Sequence, residues 1–196
     1  MNTEQCTDIP LLRGPVALSH LILRHFVRSG DNVVDATCGN GNDTHLLAGL
    51  VGSQGTVWAF DIQEKALLAT AERLAANGLA ERARLILAGH ETLSEHITAP
   101  VSAVVFNLGY LPSGDRSIIT RPETTRSALE QAVQILANGG ILAITVYPGH
   151  SGGKSEAGMI DEWSAALPQH EFHAWRMGQA NTTADAPLFI LIQKAA

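Results

Sequence analysis

The chain has 196 residues, is 45% hydrophobic and 16% charged, and carries a formal net charge of -6. This is length enough for one domain with a sizeable core, and it excludes a disordered chain, a membrane-spanning one and a generally basic nucleic-acid binder, although a local basic patch can sit in an acidic whole. The two cysteines, Cys6 and Cys38, lie far apart without metal-ligand spacing, and "MNTEQCTDIP" has no signal-peptide core, so a cytoplasmic protein is expected.

In chain order, "VALSHLILRHFVRSG" has apolar residues at helical spacing and Gly30 as a C-cap. "NVVDA" reads as a short buried strand, "NDTHLLAGLV" as a helix opened by capping residues, and "TVWAFDI" as a second strand. "QEKALLATAERLAANG" is a strong helix former that stops at Asn77-Gly78, followed by the strands "ARLILAG" and "VSAVVFN". "RPETTRSALEQAVQILANGG" starts a helix near Pro122 and stops it at Gly139-Gly140. "ILAITVY" is a fifth strand, "EAGMIDEWSAALP" a helix, and "EFHAWRM" and "APLFILIQK" a closing pair of strands. Strands alternating with helices predict an α/β fold with a parallel sheet covered on both faces. The closing pair lacks a crossover helix, which predicts one antiparallel strand. Residues 1–15 read as an N-terminal extension and residues 16–196 as a single domain. The eight histidines form no metal-ligand pattern and are expected to be solvated or capping.

"VVDATCGNGNDT" places Gly39 and Gly41 between a strand and a helix, where the backbone turns tightly and comes close to a ligand. The helix start at Asn42 to Thr44 aims free N–H groups at the same spot. Asp61 ends the next strand, 20 residues after Gly41, where an acid reaches the hydroxyls of an adenosine ribose; its bland alternative is an N-cap for the following helix. Of two adenosine cofactors, a dinucleotide wants a third glycine where this chain has Thr44, and normally a second domain. The carboxylate and amine of S-adenosylmethionine suit Asp35, Asn40, Asn42 and Asp43 better. Ile62, Gln63, His90 and Glu91 stand at the ends of the second and third strands, where a ligand lies in open α/β sheets. Glu91 is also an ordinary first-turn helix residue. Cys38, beside the glycine loop, reads as a small buried side chain. The fourth strand ends at "NLGYLP", Asn107 to Pro112, and the fifth at "YPGHSGGKSE".

"VVDATCGNGNDTHLLAGLVGSQGTVWAFDIQ", the "NLGYLPSGD" segment and "YPGHSGGKSE" together resemble the family of "putative rRNA methylases" over about Val16 to Lys194. Its characterised members are tRNA 5-(aminomethyl)-2-thiouridine methyltransferases. The resemblance implies a Rossmann-like class I methyltransferase with a seven-stranded, mostly parallel sheet, an antiparallel last strand and helices on both faces. It implies S-adenosylmethionine contacts at Asn40, Asn42, Asp61, Gln63, His90 and Glu91, a role for Asn107 to Pro112 beside the transferred methyl, a tRNA partner, a homodimer and bacterial cytoplasm, with no membrane and no metal. The segment "GQANTTADAPLFIL" departs from the family's usual closing pattern of two prolines, and bears on the substrate wall.

Methyl transfer to an amine needs a neutral nitrogen held about 3 Å from the methyl carbon with competing water excluded. Asn107 offers a side-chain carbonyl to orient it, beside Leu108 and Gly109. Tyr110 can stack on a base, with Pro112 behind it. Tyr147 and His150 face the same pocket from the fifth strand, and His150 can take the proton or be only a turn residue. Arg116, Arg121, Arg126 and Lys154 form a candidate phosphate patch or, more blandly, a solvated face. The competing readings are a methyltransferase of rRNA or of a small-molecule amine, a nicotinamide-dependent oxidoreductase, and a non-catalytic S-adenosylmethionine-binding module.

Overall fold

The computed structural model describes residues 11–112, 114–115 and 117–196. Cys6 and Arg116, and residues 1–10 of the expected extension, lie outside the described residues. The strands are β1 (Asn32–Asp35), β2 (Thr56–Asp61), β3 (Ala83–Leu87), β4 (Val101–Leu108), β5 (Leu136–Val146), β6 (Phe172–Gly178) and β7 (Leu188–Lys194). The helices are α1 (Pro15–Phe26), α2 (Asn42–Val51), α3 (Glu64–Ala76), the single turn α4 (Leu93–His96), α5 (Pro122–Ile135) and α6 (Gly153–Ala165).

One sheet runs in the order β3-β2-β1-β4-β5-β7-β6. β1 to β5 pair in parallel, whereas β7 runs antiparallel to both its neighbours, β5 and β6. The link from β6 to β7, residues 179–187, is too short for a parallel crossover, so antiparallel pairing is the accessible solution. The central strands are apolar on both sides because both faces are covered. Along β4, Ala103 and Val105 pack with Leu23 of α1, Leu47 of α2 and Leu74 of α3. Val104 and Phe106 point the other way, toward Leu93 of α4, Leu129 of α5 and Ile160 and Trp163 of α6. This period-2 alternation divides the core into two layers and leaves the strand ends to carry polar residues.

Several boundaries differ from the sequence expectation, among them the start of β5, which lies at Leu136 and not at Ile141. α1 stops at Phe26 because Val27 turns extended and buries its side chain, while Gly30 instead forms the turn into β1 at a φ of 92°. α5 stops at Ile135, well before the glycine pair, because Leu136 is buried and pairs with Val101 of β4. α6 starts at Gly153, three residues ahead of the expected start, with Gly152 as its left-handed N-cap. Among the described residues no helix is long and apolar enough to cross a membrane.

Candidate active site

The strand order reverses between β1 and β4, the place where an open α/β sheet leaves a crevice at its carboxyl edge. The glycine loop crosses that crevice. Gly41 holds a φ of 75°, and a Cβ there would lie 2.9 Å from Thr70 Cα, so glycine at this position lets the start of α2 pack on α3. Gly39 faces the crevice, and its N–H donates to Asp61 Oδ2 at 2.9 Å. The Gln63 N–H donates to Asp61 Oδ1 at 2.9 Å. Gln63, not Asp61, is the N-cap residue of α3. Each Asp61 oxygen therefore keeps a second lone pair for a ligand hydroxyl. Burial raises the Asp61 pKa, while these backbone hydrogen bonds pull it back down.

A cavity of about 510 Å³ opens over this loop. Its floor is Ala36, Thr37 and Gly39, and one side carries Asp61 and Ile62. The turn after β3 adds Gly89, His90 and Glu91, held in place by α5. There the Gln131 side chain accepts from the Ser94 N–H at 2.8 Å and donates to the Glu91 carbonyl at 2.5 Å. His90 is buried against Phe106, and burial lowers its pKa, so it faces the cavity uncharged at neutral pH. The far wall is a strap whose residues 109–112 and 117–121 line the cavity, bridging back at Tyr110 and Ile119.

A second cavity, of about 520 Å³, lies on the other side of "NLGYLP". Tyr147, Gly149 and His150 from the end of β5 line it, with Asp185 and Pro187 from the segment before β7. Asn107, Gly109, Tyr110 and Pro112 line both cavities, so this stretch is their shared wall. The Asn107 N–H donates to Thr37 Oγ1 at 2.7 Å, and its side-chain NH2 donates to Asp43 Oδ2. His150 Nδ1 faces the Ser151 carbonyl at 2.9 Å, which accepts only, so Nδ1 carries a proton. Nε2 is buried without a partner among the described residues. The Tyr110 and His150 rings meet edge to face with centroids 6.2 Å apart.

Other expected site residues stand behind these walls. Asp35 is fully buried, accepting from the Thr44 hydroxyl at 2.6 Å and the Thr37 N–H at 3.3 Å. Asp43 and Thr44 are buried, and Asn42 is exposed at the first turn of α2. Asn40 reaches across to the Pro112 carbonyl at 3.5 Å, tying the glycine loop to the strap. Leu108 is buried in the core and lines the second cavity. Arg121 is exposed at the rim of the first cavity, whereas Lys154 pairs with Asp185 and Arg126 with Glu130. Cys38 is buried beside Thr70, and its thiol pKa is pushed far up by burial, which leaves it an inert packing group.

Sequence reasoning missed the contact that His20, half-buried on α1, makes with Asp43. The available signal was a polar residue three positions before the fully buried Leu23, on the same helix face. It also missed Glu156, a buried carboxylate in α6 that accepts from the hydroxyls of Thr120 at 2.7 Å and Thr125 at 2.6 Å.

The first cavity fits S-adenosylmethionine better than a dinucleotide. Asp61 and Glu91 both line it, and two carboxylates would repel a pyrophosphate while favouring a cationic sulfonium. The fold and this site define the class: an S-adenosylmethionine-dependent methyltransferase with the class I, Rossmann-like sheet. Residues 57–193 match the family model described as "Putative rRNA methylase", and the chain belongs to that family. A "tRNA (mnm(5)s(2)U34)-methyltransferase, chloroplastic" from Arabidopsis thaliana is 37% identical over an alignment of 187 residues that covers 90% of this chain and 68% of the relative. A solved structure of a "putative rRNA-methylase" from Clostridium thermocellum is 44% identical with a TM-score of 0.91, covering 94% of this chain and 99% of that one. A "putative methyltransferase" from Streptococcus mutans, solved in complex with SAH, is 36% identical with a TM-score of 0.85 over the same shares.

Proposed function

We propose that this enzyme methylates the exocyclic amine of 5-aminomethyl-2-thiouridine at the wobble position of tRNA. The observation that carries the reading is the shared wall. Two cavities of similar size meet at Asn107 and Tyr110, one suited to the cofactor and the other open for an acceptor. The Arabidopsis relative's printed activity supports the choice of acceptor. S-adenosylmethionine, when bound, supplies an electrophilic methyl group, and Asp61, His90 and Glu91 would hold its adenosine end.

The chain's own residues work on the amine. Asn107 Oδ1 accepts one amine N–H and so aims the nitrogen lone pair. His150 Nε2 takes the proton that the nitrogen sheds as it is methylated. Tyr110, 41% exposed between the cavities, offers a face on which the uracil ring stacks. Arg121 at the rim meets the phosphate backbone. On this reading residues 16–196 form one catalytic domain of a cytoplasmic, RNA-binding homodimer.

The test is transfer of isotope-labelled methyl from S-adenosylmethionine to tRNA bearing the aminomethyl group, with mass spectrometry of the digested nucleosides. Label in the methylaminomethyl nucleoside supports the reading. Label that appears only with rRNA or with small amines replaces it.

A further inference from the structure

Asp43 sits one layer behind the shared wall, 6% exposed and lining neither cavity. Its two oxygens are divided. Oδ1 meets His20 Nε2 and Oδ2 meets the Asn107 side-chain nitrogen, each at 2.5 Å. In the Asn107 contact the amide nitrogen donates and the carboxylate oxygen accepts. Asn107 must therefore present its NH2 group to Asp43 and turn its carbonyl oxygen away. Among the described residues that carbonyl has no hydrogen-bond partner, and Asn107 borders both cavities. The Asn107 backbone is pinned as well, by Thr37 Oγ1. With both ends held, the amide has one orientation.

We propose that Asp43 is a positioning residue for methyl transfer: it fixes which face of the Asn107 amide the acceptor amine meets, and His20 of α1 holds Asp43 in place. The proposal rests on the reading of Asn107 as the group that orients the amine. Without Asp43, the amide can rotate and offer an NH2 donor to the incoming amine, which repels its N–H bonds and ties up the lone pair that should attack the methyl group. A reacting group misplaced by about 1 Å costs on the order of 100-fold in rate.

The decisive experiment is an exchange. Asp43→Asn alone and Asn107→Asp alone should each lower kcat by about 100-fold, with the acceptor KM and the cofactor Kd changed by less than about 3-fold. The double variant Asp43→Asn with Asn107→Asp keeps the same atoms and the same charge. Position 43 then donates to position 107 and still accepts from His20, and an acceptor oxygen again faces the cavities. Its kcat should recover at least about 10-fold over either single variant. His20→Gln, which keeps a donor, should retain more activity than His20→Leu. A single variant with undiminished kcat overturns the proposal, as does a double variant that regains stability and not turnover. Denaturation of the same four proteins gives a readout independent of the acceptor. Additive stability losses at positions 43 and 107 would mean that the pair is not coupled, and would overturn it even if the acceptor proves to be other than tRNA. A wild-type enzyme that leaves tRNA unmethylated while the two stability losses remain coupled would instead count against the proposed acceptor alone.

Discussion

Asn107 and Asp35 show how one loop assigns different work to similar polar groups. Asn107 faces both cavities, so its loss should affect turnover far more than fold. Asn107→Ala is expected to lower methyl transfer by about 100-fold, with the S-adenosylmethionine Kd by calorimetry within about 3-fold of wild type. Loss of the folded state would show that Asn107 is structural instead. Asp35 is different, because among the described residues the only donors to its carboxylate are the Thr44 hydroxyl and the Thr37 N–H. Burial first, then the neighbouring Asp43 charge, pushes its pKa up to about 7. The folded protein therefore holds a proton on Asp35 that the unfolded chain has released above its ordinary carboxylate value. By linkage the contribution to stability is greatest below that value and is lost as pH rises toward about 7. Between pH 5.5 and 8 the wild-type melting temperature should fall by more than that of Asp35→Asn, and at pH 8 the variant should be the more stable of the two. Parallel pH profiles for the two proteins would refute the assignment.

At the scale of elements, residues 109–112 and 117–121 of the strap form one wall of the cofactor cavity, and Glu156 latches it to α6 through Thr120. The Gly109 carbonyl accepts from the Thr120 N–H at 2.9 Å, closing the strap at its base. Glu156→Ala strands two threonine hydroxyls and opens a hole, which should cost about 2–4 kcal/mol in chemical denaturation. Hydrogen exchange should accelerate across residues 109–121 and stay unchanged in β1. Glu156→Gln, which keeps the shape and can still accept, should lie near wild type. Unchanged exchange in the strap of the alanine variant would show that Glu156 holds α5 alone. The helices and strands themselves were readable from hydrophobic periodicity, and α2 runs over the expected residues. The ends of α1 and α5 were not, because Val27 and Leu136 are pulled extended by burial and strand pairing, and these outweigh a downstream glycine.

At the scale of the molecule, a net charge of -6 means that the proposed contact with RNA must rest on local charge. Lys154 and Arg126 are already paired with carboxylates, while Arg121 has no such partner among the described residues. In filter binding of tRNA against salt, Arg121→Ala should reduce the slope of log Kd with log salt by about one, and Lys154→Ala by less. A salt-independent Kd for the wild type would remove the phosphate contacts from the mechanism.

The amino-acid order alone determined the strand and helix alternation, the glycine loop, Asp61 at the end of β2 and the "NLGYLP" turn at the end of β4. Those are local patterns, set by periodicity, turn chemistry and spacing. Only the tertiary structure decided that Asp35 and Asp43 lie behind the wall, that His20 on α1 reaches Asp43, and that Glu156 latches the strap. Each is a partnership between residues more than 20 positions apart or the burial of a charged group, and neither leaves a local signature. They arise when the sheet brings its strand ends to one edge and each polar group taken from water must find a partner there.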